Sequence, residues 1–315
     1  MKRFVLSALS LALLAGCSSA PSAAAPSASS ESETVSVPEG LKILSPSGAP
    51  SYALVPLAKD GNQELTIVDG ADALQAAFVN PDSEYDVIIA PTNLGAKLIS
   101  ADKTNYSLVS VVTTGNLFIV GEEGALDSDG EIALFGENAV PGLIYKKVCT
   151  DITNPATWYS SVTEAQAALL AGNASAALLA EPAATATITK AKKDGKTLVK
   201  LADLQELWGE DGYPMASMFV RNDVLESNAQ GIKALVNELM DYADKVNAGD
   251  EDISADLDSL SDPSMFGATP SAMVKAAYAG MGIHVDLAEN NKENVENFLN
   301  LFSISLTDST IYSFN

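Results

Sequence analysis

The sequence has few of the residue types that metal centres, nucleophilic catalysis and nucleic-acid binding require. Its 315 residues include one histidine, His284, two cysteines, and 18 Lys and Arg against 41 Asp and Glu, for a formal net charge of −23. A single histidine excludes multi-histidine zinc sites and the facial-triad iron site, which uses two. The shortage of positive charge argues against nucleic-acid binding, because Lys and Arg provide that affinity by neutralising phosphates.

The motifs of common enzyme families are also missing. There is no G-x-S-x-G nucleophile elbow, no P-loop, no H-E-x-x-H zinc motif and no G-x-G-x-x-G dinucleotide fingerprint. One histidine leaves little room for a Ser-His-Asp or Cys-His site. We therefore predict a protein that is not an enzyme and that has no catalytic residue, metal site or cofactor. A hydrolase using Glu137 and Glu181 as a carboxylate pair stays open as an alternative.

The first 40 residues have the pattern of an export signal followed by a tether. Lys2 and Arg3 precede an apolar run over residues 4–14, which is too short to span a bilayer. The following Leu-Ala-Gly-Cys17 resembles the bacterial lipobox, in which the cysteine becomes the lipidated N-terminus. We predict a signal peptide over 1–16 and a lipidated, disordered tether over 17–40, because its Ser/Ala/Pro-rich composition cannot bury a core. The expected location is extracytoplasmic, with a lipid on Cys17 anchoring the chain to the cell membrane.

The rest of the chain repeats one pattern at a spacing of 89 to 91 residues. A strand, a Gly/Pro loop and a helix over residues 41–59 recur over residues 131–147. The helix start containing Gln75 recurs at Gln166, with Ser161 and Glu164 predicted as a capping box. A buried strand that runs into Pro91 recurs before Pro182, and proline suits a first helical turn.

The repeat predicts an α/β fold of two similar, doubly wound lobes with parallel sheets, followed by C-terminal helices. Two segments, 106–121 and 214–220, are expected to cross between the lobes and to act as a hinge. The expected boundaries are 41–114 with 221–315 for lobe 1 and 115–220 for lobe 2. Cys149 would have no disulfide partner once Cys17 is lipidated, so we predict a small buried hydrophobe.

These features together resemble a known family. The lipobox, the tether, LKILSPSGAP at 41–50, YDVIIAPTNLGAKL at 85–98, the Thr-Thr-Gly-Asn crossover and the second-lobe echo are similar to solute-binding lipoproteins of ABC importers. The subgroup that the chain resembles binds nitrate, sulfonates, taurine or thiamine-pyrimidine precursors. The resemblance covers about Leu41 to Leu306 and implies the periplasmic binding protein type II fold. It also implies a small-molecule ligand (a sulfonate, nitrate, a carboxylate or an aminopyrimidine) and ABC permease subunits as partners, with no nucleic acid; we expect a monomer.

Ligands of open α/β sheets bind beyond the carboxyl ends of the strands, so the strand-to-helix loops supply most of the candidates. Helix N-termini there leave N–H groups unpaired, and hydroxyl and amide side chains add hydrogen bonds. The first crossover adds Thr113, Thr114 and Asn116. The predicted ligand-binding residues are Ser45, Ser47, Gly48, Thr92, Asn93, Thr113, Thr114, Asn116, Glu137, Asn138, Tyr159 and Glu181. For several of them a purely structural role is the alternative: N-capping for Ser47 and Thr92, and core packing for Tyr159.

Two charge considerations argue against an anionic ligand. Glu137 and Glu181 would oppose an anion and favour an amine or amidine if they face the cleft, but each could instead stabilise its own helix N-terminus. Arg221 is the one arginine after the signal, and a salt bridge near the second crossover is its expected role, which makes an arginine-clamped carboxylate ligand less favoured. A ligand-sensing lipoprotein that hands a signal to a membrane partner is the alternative to transport.

Overall fold

The computed structural model describes residues 35–307 and 310–314. The predicted signal peptide over 1–16, Cys17 and the first part of the 17–40 tether lie outside the described residues. Within those residues, no helix combines the length and the apolarity needed to cross a membrane.

Eleven strands and twelve α-helices make up the described chain. The strands are β1 (Lys42–Pro46), β2 (Glu64–Val68), β3 (Val87–Pro91), β4 (Tyr106–Thr113), β5 (Leu117–Gly121), β6 (Ile132–Phe135), β7 (Ala156–Tyr159), β8 (Ala176–Ala180), β9 (Val199–Asp203), β10 (Ala216–Arg221) and β11 (Ile283–Leu287). The helices are α1 (Ala49–Tyr52), α2 (Val55–Asp60), α3 (Asp72–Val79), α4 (Thr92–Ser100), α5 (Val140–Val148), α6 (Val162–Ala171), α7 (Ala183–Lys193), α8 (Leu204–Trp208), α9 (Asn222–Ala248), α10 (Ile253–Ser259), α11 (Ser271–Ala277) and α12 (Lys292–Asn300).

The strands form two separate sheets, which confirms the predicted α/β fold with two lobes. The first sheet has the order β2-β1-β3-β10-β4-β11, and the second has the order β7-β6-β8-β5-β9. In each sheet, the first three strands run parallel to one another and come from the strand–helix repeat of one half of the body. The fourth strand, β10 in the first sheet and β5 in the second, runs antiparallel to them. The expectation of wholly parallel sheets was therefore wrong: a strand that enters a sheet from the other lobe runs in the opposite direction.

The chain passes between the sheets at two places, of which the first lies within the expected segment 106–121. The first passage joins β4 to β5 through residues 114–116, and the second leads from β9 through α8 to β10. Because β10 pairs with β3 and β4, the second passage ends before Ala216, whereas the sequence-based boundary assigned residues up to 220 to the second lobe. Backbone hydrogen bonds link the first passage to its neighbours. Thr114 N–H donates to Gly282 O, just before β11, at 2.7 Å, and Tyr213 N–H of the second passage donates to Thr114 O at 3.2 Å.

Alternating residues of the strands fill separate cores on the two faces of the first sheet, as expected for a sheet covered on both sides. In β3, Val87 and Ile89 pack on one face, and Ile88 and Ala90 on the other. Helix α9 covers the first of these faces with Ile232, Leu235, Val236 and Leu239. Both faces are therefore buried, and the ends of the strands are left as the accessible part of the sheet.

Local signals behave as the sequence indicates, with small differences. Ser161 caps α6, and its Oγ accepts a hydrogen bond from Glu164 N–H at 3.3 Å. The Glu164 carboxylate bonds the N–H of Ser160, one residue before the cap, at 3.0 Å. Pro91 and Pro182 lie directly before α4 and α7. Strand β11 contains His284 with its side chain exposed, and it extends the first sheet beside β4.

Arg221 at the end of β10 holds the first lobe together at the edge of its sheet. Its guanidinium bonds Asp86 at 3.0 Å, Asp223 at 2.6 Å, and the carbonyl oxygens of Ser83 and Tyr85, both at 3.1 Å. These partners lie at the start of β3 and of α9, the opposite end of the strands from the loops with the candidate residues. The guanidinium is therefore part of the first lobe's own structure.

Candidate functional site

A cavity of about 310 Å³ lies where the carboxyl ends of β1 and β3 of the first sheet approach β8 and α5 of the second. Its lining comes from the loop after β1, the ends of β3 and β4, the start of β5, the start of α5, the residue after β8 and the start of β10. The lining residues are Pro46, Ser47, Gly48, Ala49, Pro50, Pro91, Thr113, Asn116, Val140, Glu181, Met215 and Ala216. Both lobes therefore contribute to this cleft cavity.

The structure brings five of the predicted residues together and leaves the others outside. Those that line the cleft cavity are Ser47, Gly48, Thr113, Asn116 and Glu181. Those that do not are Ser45, Thr92, Asn93, Thr114, Glu137, Asn138 and Tyr159. Ligand contact by any of the twelve residues remains a prediction.

The loop after β1 is held by its own hydrogen bonds. Ser47 Oγ lies 2.6 Å from Asp69 Oδ1, and Ser47 N–H donates to Val68 O at 2.9 Å. Gly48 has a φ of 92°, in the left-handed region that favours glycine, and directly precedes α1. Ser45 is fully buried, with its Oγ 3.2 Å from Pro46 O. Ser47 thus joins the loop to the end of β2.

The hydroxyls at the ends of β3 and β4 join strands of the first sheet. Thr92 is fully buried, and its Oγ1 lies 2.7 Å from Ser217 Oγ in β10. Thr113 Oγ1 accepts a hydrogen bond from Ala216 N–H at 3.1 Å. Asn93, next along α4, has a buried Oδ1 without a hydrogen-bond partner. The hydroxyls of Thr92 and Thr113 are therefore used within the lobe.

Asn116 and Glu181 are joined by a pair of hydrogen bonds. Glu181 N–H donates to Asn116 O at 2.9 Å, and Asn116 Nδ2 donates to Glu181 O at 3.2 Å. The peptide bond from Glu181 to Pro182 is cis. Asn116 is only 7% exposed, and its Oδ1 has no hydrogen-bond partner. A buried acceptor left without a donor costs free energy, so this oxygen is a candidate for bonding a ligand.

The Glu181 carboxylate is fully buried and has several partners. Its Oε1 lies 2.6 Å from Lys200 Nζ and accepts from Thr185 Oγ1 at 2.7 Å, while Oε2 accepts from Thr185 N–H at 3.0 Å. The Lys200 ammonium lies 3.5 Å from the centroid of the Phe118 ring. The carboxylate therefore stabilises the first turn of α7, which is the structural alternative raised from the sequence.

Three predicted residues of the second lobe, and Thr114 in the connection between the lobes, lie outside the cavity lining. Glu137 and Asn138 are exposed, and Glu137 Oε1 lies 3.7 Å from Lys146 Nζ. Tyr159 is half-buried at the end of β7, against the core beside α6. Thr114 bonds Gly282 O in the connection between the lobes, with its Oγ1 at 3.4 Å.

Sequence reasoning missed several contributors to the site. Met215 and Val140 line the cavity but appear in the sequence as ordinary apolar residues beside a strand and a helix. Lys200 neutralises Glu181 from β9, which pairs with β5 rather than with a strand of the repeat. The apolar residues before β10 carried a weak signal, because that segment was expected to cross between the lobes; nothing in the sequence pointed to Lys200.

A second cavity, of about 480 Å³, lies beside the connecting segments, with Thr114, Phe118, Gly280 and His284 in its lining. Its acidic residues Glu206, Glu210 and Asp211 are exposed to solvent. Among the described residues, no group of three or more His, Cys, Asp or Glu side chains is arranged to hold a metal ion. The cleft cavity, at the strand ends where α/β sheets bind ligands, is thus the candidate functional site.

Two mixed α/β lobes, two connections and a cavity between the lobes are the fold of the periplasmic binding proteins. Comparison with solved structures agrees. An ABC transporter protein from Parabacteroides distasonis has 18% sequence identity and a TM-score of 0.69, over 88% of this chain and 100% of that one. The aliphatic sulphonate-binding protein SsuA of Escherichia coli has 14% identity and a TM-score of 0.63, over 88% and 92% of the two chains.

A more distant structure has the same fold. The nitrate-binding protein NrtA of Synechocystis PCC 6803 has 12% identity and a TM-score of 0.55, over 84% of this chain and 80% of that one. No protein-family model and no curated protein matches the sequence. At these identities the similarity concerns the fold, and the chemistry of the site has to be argued from this chain's own residues.

Proposed function

We propose that the protein is the extracytoplasmic, lipid-anchored solute-binding subunit of an ABC importer. It captures a small polar molecule between its two lobes and delivers it to membrane permease subunits, without catalysis and as a monomer. The observation that carries this proposal is the cleft cavity, which is lined from the first lobe by Ser47, Gly48 and Thr113 and from the second by Glu181. The structural neighbours, which include sulphonate-binding and nitrate-binding proteins, support the proposal.

Closure of the lobes is the mechanism. A ligand that contacts residues of both lobes binds the closed form more tightly than the open form, and it therefore shifts the population towards closure. The two connections allow this motion to be a hinge, since few backbone segments have to change conformation. The predicted lobes (41–114 with 221–315, and 115–220) would move as units, except that β10 would move with the first lobe, because it pairs with β3 and β4. The lipid on Cys17 would keep the body near the permease.

A ligand search tests the function. Mass spectrometry of small molecules released on denaturing the purified protein identifies a retained ligand. Thermal unfolding then measures stabilisation, which grows as RT ln(1 + [L]/Kd) for a molecule that binds the folded state. Small-angle scattering with and without the ligand measures closure. One bound molecule per chain and a more compact shape are expected; hydrolysis of the ligand, or the absence of any ligand, would contradict the proposal.

A further inference from the structure

We infer that the cleft selects an uncharged small molecule that carries an N–H or O–H donor and an apolar body. This inference rests on the proposed function and adds the chemical class of the ligand. Its basis is the charge balance of the cavity together with the unpartnered oxygen of Asn116.

The lining of the cleft cavity contains no lysine, arginine or histidine. Its one ionisable side chain is Glu181, whose carboxylate is paired with Lys200 at 2.6 Å, so the pair has no net charge. Moving an anion from water into such a site costs free energy, and no lining side chain carries a positive charge that would offset this cost. Among the described residues, Arg221 is the arginine that could bind an anionic ligand. Its guanidinium is already paired with Asp86 and Asp223.

A cationic ligand is also disfavoured by the contacts of Glu181. The carboxylate accepts hydrogen bonds from both the hydroxyl and the N–H of Thr185 in addition to the ion pair. Because the Glu181 side chain is fully buried, a ligand ammonium or amidinium would have to displace one of these partners to reach it, which is Lys200 in the case of Oε1. The displaced lysine would then lose its ion pair, so the exchange replaces one pair by another without a net gain.

An uncharged donor matches what the cavity offers. Asn116 lines it, is nine-tenths buried and has an Oδ1 that accepts no hydrogen bond in the described structure. The oxygen is buried in this structure, so the side chain or the lobes have to move for a ligand N–H or O–H to reach it; the donor would then satisfy the oxygen without adding charge. Pro46, Pro50, Pro91, Val140 and Met215 supply apolar surface for the remainder of the molecule. A primary carboxamide with a small hydrocarbon body has this combination of groups.

Probes of similar shape and different charge test the inference. Benzamide, benzoate, benzenesulfonate and benzamidine share one ring and differ in charge, and acetamide, acetate, methanesulfonate and nitrate extend the series to smaller molecules. Thermal stabilisation and calorimetry on the whole protein measure binding, and mass spectrometry identifies any retained molecule. The amides should bind at least ten-fold more tightly than their charged counterparts, or the retained molecule should be uncharged at pH 7.

Two substitutions link the preference to the cavity. Asn116→Leu should weaken amide binding ten-fold or more. Ser110→Ala is the control: it removes a buried hydroxyl that also has no hydrogen-bond partner but lies outside the cavity lining, and it should leave amide binding unchanged. Met215→Lys places a cation on the wall and should shift the preference towards the carboxylate and sulfonate probes, while Met215→Leu should keep it. Urea unfolding verifies that each variant is folded.

The outcomes separate the two proposals. Tighter binding of an anion or of benzamidine by the wild-type protein, or a charged retained ligand, overturns the inference and leaves the solute-binding function standing. Equal amide binding by wild type and a folded Asn116→Leu variant also overturns the inference. If no probe binds and no molecule is retained, both the inference and the proposed function fail.

Discussion

The Lys200 ammonium lies 2.6 Å from Oε1 of the fully buried Glu181 carboxylate. Lys200 belongs to β9 and Glu181 follows β8, with β5 between these strands and its Phe118 ring beneath the ammonium. The ion pair therefore spans three strands of the second sheet at the edge of the cleft. It supplies the positive charge that a buried carboxylate needs, and it leaves the cavity without a net charge.

Removal of Lys200 should destabilise the second lobe. In Lys200→Met the Glu181 carboxylate stays buried without its counter-charge, so we expect a loss of roughly 2–4 kcal/mol in the free energy of unfolding, below the full cost for a buried pair because Lys200 is partly exposed. Urea unfolding measures the change. The double variant Lys200→Met/Glu181→Gln should recover part of the loss, and equal stability of Lys200→Met and wild type would contradict the structural role of the pair.

Gly280 should be required for the close approach of the first lobe's C-terminal segment to the ion pair. A Cβ at this position would lie 2.6 Å from Lys200 Nζ and 3.0 Å from Glu181 Oε1. Gly280→Ala should therefore displace the lysine and hold the cleft more open, which lowers the affinity for the ligand. Calorimetry and scattering measure both effects.

A double-mutant cycle provides the control for Gly280. If the alanine acts by displacing Lys200, its effect on affinity should be smaller in a Lys200→Met background, because a neighbouring pair of substitutions is not additive. An unchanged affinity in Gly280→Ala, or full additivity with Lys200→Met, would show that the close approach has no role in closure.

Arg221 should matter for stability and not for the ligand. Its fork bonds two carboxylates and two carbonyl oxygens, a geometry that lysine cannot reproduce. Arg221→Lys should lower the free energy of unfolding by about 1–3 kcal/mol, the range for hydrogen bonds to charged groups. Ligand affinity should stay the same, because the partners lie at the far end of the sheet from the cleft; a large loss of affinity in a folded Arg221→Lys protein would contradict this placement.

Cys149 should be unreactive in the folded protein. It is buried and free, and burial raises the pKa of its thiol to about 11. Since the thiolate is the reactive form, a thiol reagent at pH 8 should modify Cys149 slowly in the native state and fast in urea. A Cys17→Ser background isolates the signal from Cys149, and rapid native modification would contradict the burial.

The raised pKa of Cys149 also predicts a pH dependence of stability. An unfolded cysteine loses its proton near pH 8.5, whereas the folded thiol keeps it until about pH 11. Its contribution to stability is thus complete below pH 8.5 and falls as the pH rises towards 11. The free energy of unfolding of wild type should therefore fall relative to that of Cys149→Ala between pH 8 and pH 10. A difference that stays constant over this range would contradict a pKa raised by burial.

Much of the architecture could be predicted because the signals are local. The 91-residue offset between Pro91 and Pro182 is visible without any contact being known, and each proline lies before a helix in the structure. The direction of β10 was not predicted, because sheet pairing depends on a partner more than 100 residues away. Of the five candidates that line the cavity, Ser47, Gly48 and Glu181 came from the position of a loop after a strand, and Thr113 and Asn116 came from the first crossover.

The sequence by itself determined the two-fold repeat, the strand-to-helix loops and the scarcity of positive charge, since each depends on residue types at fixed spacings along the chain. Only the tertiary structure decided which of those loops face one cavity and how Glu181 is neutralised. A carboxylate at a strand end can bind a ligand or stabilise a helix. The choice is made by whether another strand, here β9 with Lys200, places an opposite charge within hydrogen-bonding distance.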